Sequence, residues 1–527
     1  MSYLIAASLY LYHFLFVPPF IPIQAYPSGD WPFAANPAQM MVERGALIYR
    51  DVFEFVMPGT TLVDALIFKV FGLRPWIPNV LSMLLGLGLM GISLAISRRV
   101  MHLRVAMLPG ALFLVSSFSE LLDPVHHFYS LLAAMSAIAV LMERRTITRI
   151  AVAGALCGLS SCFTQTRGLA ACAGIVVFLW WESRQCREGW RVFLKNAAYL
   201  AAGFAAVLLL VSGYFIWKAG VARFVWCVFI FPVKYYPKQA NWNSFMVIRD
   251  FTRDFSPHLG VDLHLKMLYI NGRKLFLLLT TPTVFVLFFV RYWLKYGKER
   301  WDLWARPMLV ACVGLMMFLS IINSPSPLRM DISSLPALIL LGWLLDSPGK
   351  LARTLVVIGA VAVLLVALYS VVRLRPVVAE VITTPRGRFA VLRAGLSPLR
   401  PSDEFQCSEY IWIEQHTRPG DYFYAPLGAK MYFYFDLLNP TPLTRIDNNG
   451  YTTPEQVADV IRGLEEHRVR YIFWGPSDAL DTIPSWENPA DAHLGPLREY
   501  IKDRYSVAQV FSEGPSVKDV IWERKAQ

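Results

Sequence analysis

Apolar residues fill long blocks through the first 372 positions, and polar residues are gathered between them. The blocks run from Tyr3 to Ile23, Asn79 to Ile96, Val105 to Phe118, His127 to Met142, Ile150 to Phe163 and Leu169 to Trp181. They continue from Ala197 to Trp217, Leu275 to Val290, Met308 to Ile322, Ile332 to Leu345 and Leu355 to Val372. A helix of about 17–25 such residues can cross a bilayer, so the pattern predicts about eleven spans. The first block has no basic start and no small-residue cleavage site, which marks a retained helix rather than a signal peptide. Val63 to Phe71 is also apolar but carries Asp64 and Lys69, and it reads as a helix lying on the membrane surface.

From about Leu374 the pattern changes. Helical periods at Glu409 to His416, Pro454 to Arg468 and Asp491 to Arg504 alternate with short strand-like runs at Tyr422 to Pro426, Tyr471 to Trp474, Val507 to Phe511 and Val517 to Trp522. That alternation predicts a small α/β domain. Thr453-Pro454-Glu455-Gln456 is a capping box with proline at the first helical position. The chain thus divides into a transmembrane domain, 1–373, with outer loops at 25–78 and 218–274, and an α/β domain, 374–527.

Charge orients the helices. The net charge of +12 lies largely in short loops such as Arg98 to Arg104, Glu143 to Arg149, Glu182 to Lys195 and Arg291 to Arg306. Basic loops of this kind stay in the cytoplasm. The N-terminus is therefore expected inside, and the α/β domain outside, the cytoplasmic membrane. The same distribution removes the case for nucleic acid as a partner. Composition agrees with a polytopic membrane protein: 55% of residues are hydrophobic and 17% charged, against roughly 25% charged in soluble chains. The seven cysteines show no CxxC and no zinc spacing, and Cys407 stands alone in the last domain.

This topology brings one set of polar residues to the outer ends of helices: Asp30, Glu54, Asp123, His126, His127, Gln165, Arg167, Arg329 and Asp331. Ionisable groups at such depth are costly, so they are candidates for function. Taken singly, each also reads as an interfacial residue solvated by water and headgroups. Acids and histidines mark the outer side, whereas arginine and lysine dominate the inner loops. The aromatic stretch around Lys234-Tyr235-Tyr236 reads first as an interfacial belt.

The ordered set of these features resembles the GT-C superfamily of membrane glycosyltransferases, in particular its protein O-mannosyltransferase and aminoarabinose transferase branch. The resemblance rests on Asp30 after the first helix, YRDVFEFVMPG from Tyr49 to Gly59, IFKVFG from Ile67 to Gly72, Leu122-Asp123-Pro124, and Arg167-Gly168 at a break between helices. It covers about 370 residues of the chain and extends to the outer α/β domain. Two departures stand out. Trp31 follows Asp30 where the family often doubles the acid, and Val56-Met57 precede Pro58 where the family often has lysine.

The resemblance implies transfer of a sugar from a polyprenyl-phosphate donor to a lipid, glycan or protein acceptor on the outer face. A carboxylate can take the acceptor's proton, which makes Asp30 the expected base and Asp123 the second catalytic acid. Arginine offers a bidentate grip on the phosphate, a role expected of Arg167 and Arg329 with Lys69 behind them. A divalent ion could share that work, and Asp123 with His126 are the residues placed to hold it. Glu54, His127, Gln165 and Asp331 complete the candidates. The alternative is a transporter or an inactive relative that binds lipid-linked sugars. Transporters carry repeat symmetry and polar breaks at the midplane, whereas here the polar groups lie at helix ends.

Overall fold

The computed structural model describes residues 31–74, 77–116, 124–235, 261–296, 298–322, 327–347, 349–383, 403–426, 429–446, 452–474, 494–513 and 516–526. The elements begin with α1 (Trp31–Arg44), α2 (Gly59–Phe71), α3 (Ile77–Ser97), α4 (Leu108–Ser116), α5 (His126–Leu141), α6 (Ile147–Phe163), α7 (Gln165–Gln185) and α8 (Trp190–Ala219). Then come α9 (Val261–Lys295), α10 (Trp301–Leu319), α11 (Pro327–Ser333), α12 (Leu335–Leu345) and α13 (Lys350–Thr383). The last part holds α14 (Asp403–His416), β1 (Phe423–Tyr424), α15 (Ala429–Phe435), α16 (Pro454–Glu466), β2 (Tyr471–Trp474), α17 (Gly495–Arg504), β3 (Tyr505–Glu513) and β4 (Ser516–Arg524).

The chain forms two compact units. One contains Asn79–Gly213 and Ala240–Glu380; the other contains Phe20–Pro78, Tyr214–Gln239 and Val381–Gln527. The expected first outer loop and part of the expected second therefore pack with the C-terminal α/β fold.

The first unit is a bundle of apolar helices, and the protein is a multi-pass membrane protein. Val80–Ser97, Trp190–Ala219, Lys274–Lys295 and Trp301–Leu319 are long and apolar enough to cross a bilayer, and Leu103–Ser116, His126–Leu141, Ile147–Phe163 and Leu335–Leu345 are shorter apolar helices. The expected first crossing, Tyr3 to Ile23, lies outside the described residues. The apolar run from Val105 divides at Met107, just before Pro109, which has no N–H to continue a helical ladder. Helix contacts are close. A Cβ on Gly154 would lie 2.0 Å from the Leu200 carbonyl oxygen, and one on Gly203 the same distance from that of Ala151. Small residues let α6 and α8 touch backbone to backbone, as membrane helices do where side-chain hydrophobicity supplies no drive to associate. Ser130 and Ser160 join α5 to α6 by a buried hydroxyl pair 2.8 Å apart.

The expected second outer loop, 218–274, is more helical than its polarity suggests. Val221–Val225, a π-helical turn Trp226–Ile230 and Phe231–Tyr235 follow one another, and α9 already begins at Val261. The polar residues of 261–274 end an apolar run without ending the helix. The centre of this loop, including Tyr236, lies outside the described residues.

The second unit is built around a four-stranded sheet of order β1-β2-β4-β3, with β1 and β2 parallel and the other pairs antiparallel. Its strands alternate between two cores, because successive side chains in a strand point to opposite faces. Tyr424, Ile472, Trp474, Val520 and Trp522 pack with Val457, Val460 and Leu464 of α16 and Leu497 and Ile501 of α17. Phe423, Tyr471, Phe473 and Ile521 pack with Tyr410 and Ile413 of α14 and Met431 and Tyr432 of α15. Both bonds of the capping box at Thr453 are made, which opens α16 where the sequence places it. In the same unit α2, the expected surface helix, buries Asp64 and Phe68 and exposes Leu66, Val70 and Phe71 by 52–65%.

Candidate functional site

The break between α6 and α7 places one arginine with unusual precision. Thr164, extended at φ −140, ends α6 and is the first residue before α7. Helix α7 restarts at once, and the Arg167 amide bonds to the Thr164 carbonyl. Its neighbour Gly168 permits the tight return: a Cβ there would lie 2.2 Å from the Ser161 amide nitrogen and 2.4 Å from the Cys157 carbonyl oxygen. Arg167 is thereby sunk to 2% exposure at the head of a helix. Its Nη1 donates to the His127 carbonyl oxygen at 2.9 Å. Its Nε is buried with no partner among the described residues.

His126 and His127 open α5, with rings 4.0 Å apart. His127 is buried, and its Nδ1 has no partner among the described residues. Arg329, half-buried on α11, lies near enough for its charge to act on Arg167 and on both imidazoles. Asp331, two residues on, is buried at 3% exposure. Gln165 is half-buried, and its carbonyl accepts a bond from Ser161 Oγ. The structure thus brings together Gln165, Arg167, His126, His127 and Arg329, which are spread over 200 positions of sequence.

The chemistry of the cluster is that of an anion site. The charge of Arg329 acts on Arg167, and the buried Nε of Arg167 has no partner among the described residues. Two helices, α5 and α7, begin here, and helix starts present amide groups without intrahelical partners and partial positive charge. Burying a charge costs free energy unless something negative answers it, and Arg167 is the arginine that is buried here. Among the described residues no three His, Cys, Asp or Glu side chains converge as a metal shell.

The other candidates lie in the second unit or outside the description. Asp30 and Asp123 are outside the described residues. Lys69 is exposed in the last turn of α2. Glu54 is buried, and one carboxylate oxygen accepts the Phe55 and Val56 amides, both at 2.9 Å. Burial pushes its carboxyl up to about 7, against the pull of those two bonds. It sits beside a constrained turn. Tyr49 adopts a left-handed φ of 68, its ring packs edge-on to Phe215 and Phe224, and its hydroxyl donates to the Val56 carbonyl. Non-glycine residues seldom hold that conformation, so the surrounding contacts fix the turn.

Sequence reasoning missed the polar face of α1. Asn36 and Gln39 are buried and bond to the C-terminal segment: Asn439 Nδ2 donates to Asn36 Oδ1 at 3.0 Å, and Gln39 Nε2 donates to the Leu437 carbonyl at 3.2 Å. Two amides among apolar residues of an amphipathic piece were the available signal.

The fold matches solved structures over nearly the whole chain. ArnT from Cupriavidus metallidurans bound to undecaprenyl phosphate superposes with a TM-score of 0.56 at 15% identity, covering 99% of this chain and 98% of that one. The same protein in the apo state gives a TM-score of 0.55 at 16% identity with the same coverage. The chain therefore has the GT-C-type fold that its motifs led one to expect. No family model matches the sequence. No curated protein matches it either.

Proposed function

We propose that this protein is a membrane glycosyltransferase that takes a sugar from a polyprenyl-phosphate donor and attaches it to an envelope acceptor at the outer face of the cytoplasmic membrane. The observation that carries this reading is Arg167, buried at the head of a membrane helix with an Nε that has no partner among the described residues, and within reach of the charge of Arg329. A lipid phosphate answers that charge. The fold likeness to a protein solved with undecaprenyl phosphate supports it.

In this reading Arg167 and Arg329 hold the phosphate, with Lys69 as a further cation. A hydroxyl or amine of the acceptor attacks the anomeric carbon. The bond between that carbon and the phosphate oxygen breaks, and the polyprenyl phosphate leaves with the electron pair. Asp30 takes the acceptor's proton, and Asp123 is the second acid. Guanidinium groups prearranged where charge collects on the leaving phosphate stabilise the transition state without reorganising. A divalent ion, where one takes part, would be held by Asp123 and His126 and would share the charge on the leaving phosphate, and no step is routed through it.

The test compares envelope lipids, glycans and proteins by mass spectrometry in cells with and without the chain, alongside binding of undecaprenyl phosphate to the purified protein. A product that disappears with the gene and tight lipid binding support the reading. Lipid binding without a missing product favours an inactive relative or a transporter.

A further inference from the structure

We propose that the segment from Phe433 to Leu443 of the α/β fold is a clamp that positions the first outer loop, so that the C-terminal domain acts on catalysis through that loop. This rests on the glycosyltransferase reading above, in which the loop carries Asp30 and Glu54.

The contacts are dense and of different kinds. Trp31, the first described residue after Asp30, is wholly buried, and its ring meets Phe433 edge-on at 4.9 Å and Phe68 at 6.5 Å. One turn on, Asn36 accepts from Asn439, and then Gln39 donates to the Leu437 carbonyl. At the end of the helix, Arg44 Nη1 donates to the Asn439 carbonyl at 2.8 Å. Past the helix, the Phe53 amide donates to the Pro442 carbonyl at 2.8 Å, one residue before Glu54. The stretch from Trp31 to Phe53 is thus held at its start, middle and end by residues of one distant segment, 433–443.

Asn439 is built for this task. It is 1% exposed. Its Nδ2 also donates to the Leu443 carbonyl at 2.8 Å, and its Oδ1 accepts the amide and the hydroxyl of Thr441, both at 3.0 Å. The side chain is locked by its own segment before it reaches Asn36. A side chain fixed by such supporting bonds orients what it touches, whereas a free one would only add a contact. A domain that merely recognised an acceptor would have no need of a saturated amide turned toward the loop.

The test uses the full-length protein in lipid nanodiscs with two mild variants. Asn36→Ala removes one bond to the clamp and leaves Asn439 Nδ2 its Leu443 partner. Phe433→Leu keeps an apolar side chain but withdraws the ring beneath Trp31. Amide hydrogen exchange is followed by mass spectrometry, and turnover is followed as release of polyprenyl phosphate from polyprenyl-phosphate pentose and hexose donors in the presence of an envelope lipid and glycan extract as acceptor. The clamp predicts faster exchange across residues 31–58, with unchanged exchange in β3, β4 and the membrane helices. It also predicts kcat lowered roughly 10- to 100-fold with the donor KM unchanged, as expected when reacting groups are displaced rather than removed. Unchanged exchange in both variants overturns the clamp. Faster exchange with wild-type kcat overturns its catalytic role. Asp30→Asn, run in parallel, separates the two readings: if it retains activity the base assignment fails, whatever the exchange shows, whereas a dead Asp30→Asn beside fully active clamp variants overturns the clamp alone.

Discussion

Arg167 donates Nη1 to the backbone carbonyl of His127, 40 positions earlier, and so ties the start of α7 to the start of α5. That bond fixes one edge of the guanidinium and leaves Nε without a partner among the described residues. Arg167→Ala and Arg329→Ala are each expected to weaken undecaprenyl phosphate binding about 10- to 100-fold, from the loss of a charge-assisted bond worth about 1.5–3 kcal/mol. Arg167→Lys should recover only part of it, because an ammonium group cannot reach His127 and the phosphate with one planar fork. Equilibrium binding to the purified variants measures this, and wild-type affinity in both alanine variants would take the arginines out of the site.

Gly168→Ala tests how the arginine is placed. The new methyl group would press on the Ser161 amide and the Cys157 carbonyl, both backbone atoms that no rotamer change can move. The expected cost is about 1–3 kcal/mol of stability, typical of overpacking. It should come with weaker undecaprenyl phosphate binding, since α7 must back away with Arg167 on it. Thermal unfolding in detergent and lipid binding report the two effects separately. An alanine variant as stable as wild type would mean that the two helix ends separate freely.

Glu54 supplies a pH signature. Its folded carboxyl is raised from 4.5 to about 7 by burial. A raised carboxyl favours the protonated folded state, so folding is most favourable below about pH 4.5. That advantage is lost as pH rises through about 7, by about 3 kcal/mol in all. Glu54→Gln keeps an oxygen for the Phe55 and Val56 amides and removes the titration. Melting temperatures from pH 5 to pH 8 should fall for the wild type and stay nearly level for the variant. Parallel slopes for both would remove Glu54 as the source.

The architecture was legible where a simple physical rule governs it. Among the described residues the apolar blocks gave apolar helices, and the box at Thr453 gave the start of α16, because each signal is local. Helix ends were less legible. Helix α9 begins at Val261, well before its apolar run, since water beyond the bilayer tolerates helix as well as loop. The cluster around Arg167 was partly visible, because arginine before glycine at a helix break is a local pattern. That Arg329 joins it depends on packing of α11 against α5, which no spacing encodes. The hold of Asn439 on Asn36, across 403 positions, was not visible at all. Asparagine in a short amphipathic stretch reads as surface until its partner is known.

Asp30 remains the residue on which the proposed chemistry turns. It precedes Trp31, whose burial between Phe68 and Phe433 fixes the first turn of α1. If Asp30 is the base, its carboxylate accepts the acceptor's proton as the new glycosidic bond forms. Asp30→Asn keeps size and hydrogen-bonding capacity but loses charge and basicity. Removing a positioned base costs about 10²–10⁴-fold in rate, so kcat should fall by that factor while undecaprenyl phosphate affinity and melting temperature stay at wild-type values. The competing role is a turn former after Gly29. Asparagine serves equally well in turns, and in that case the variant would transfer sugar at the wild-type rate. Turnover by Asp30→Asn, measured beside its melting curve, decides between them, and full activity would move the base assignment to Asp123.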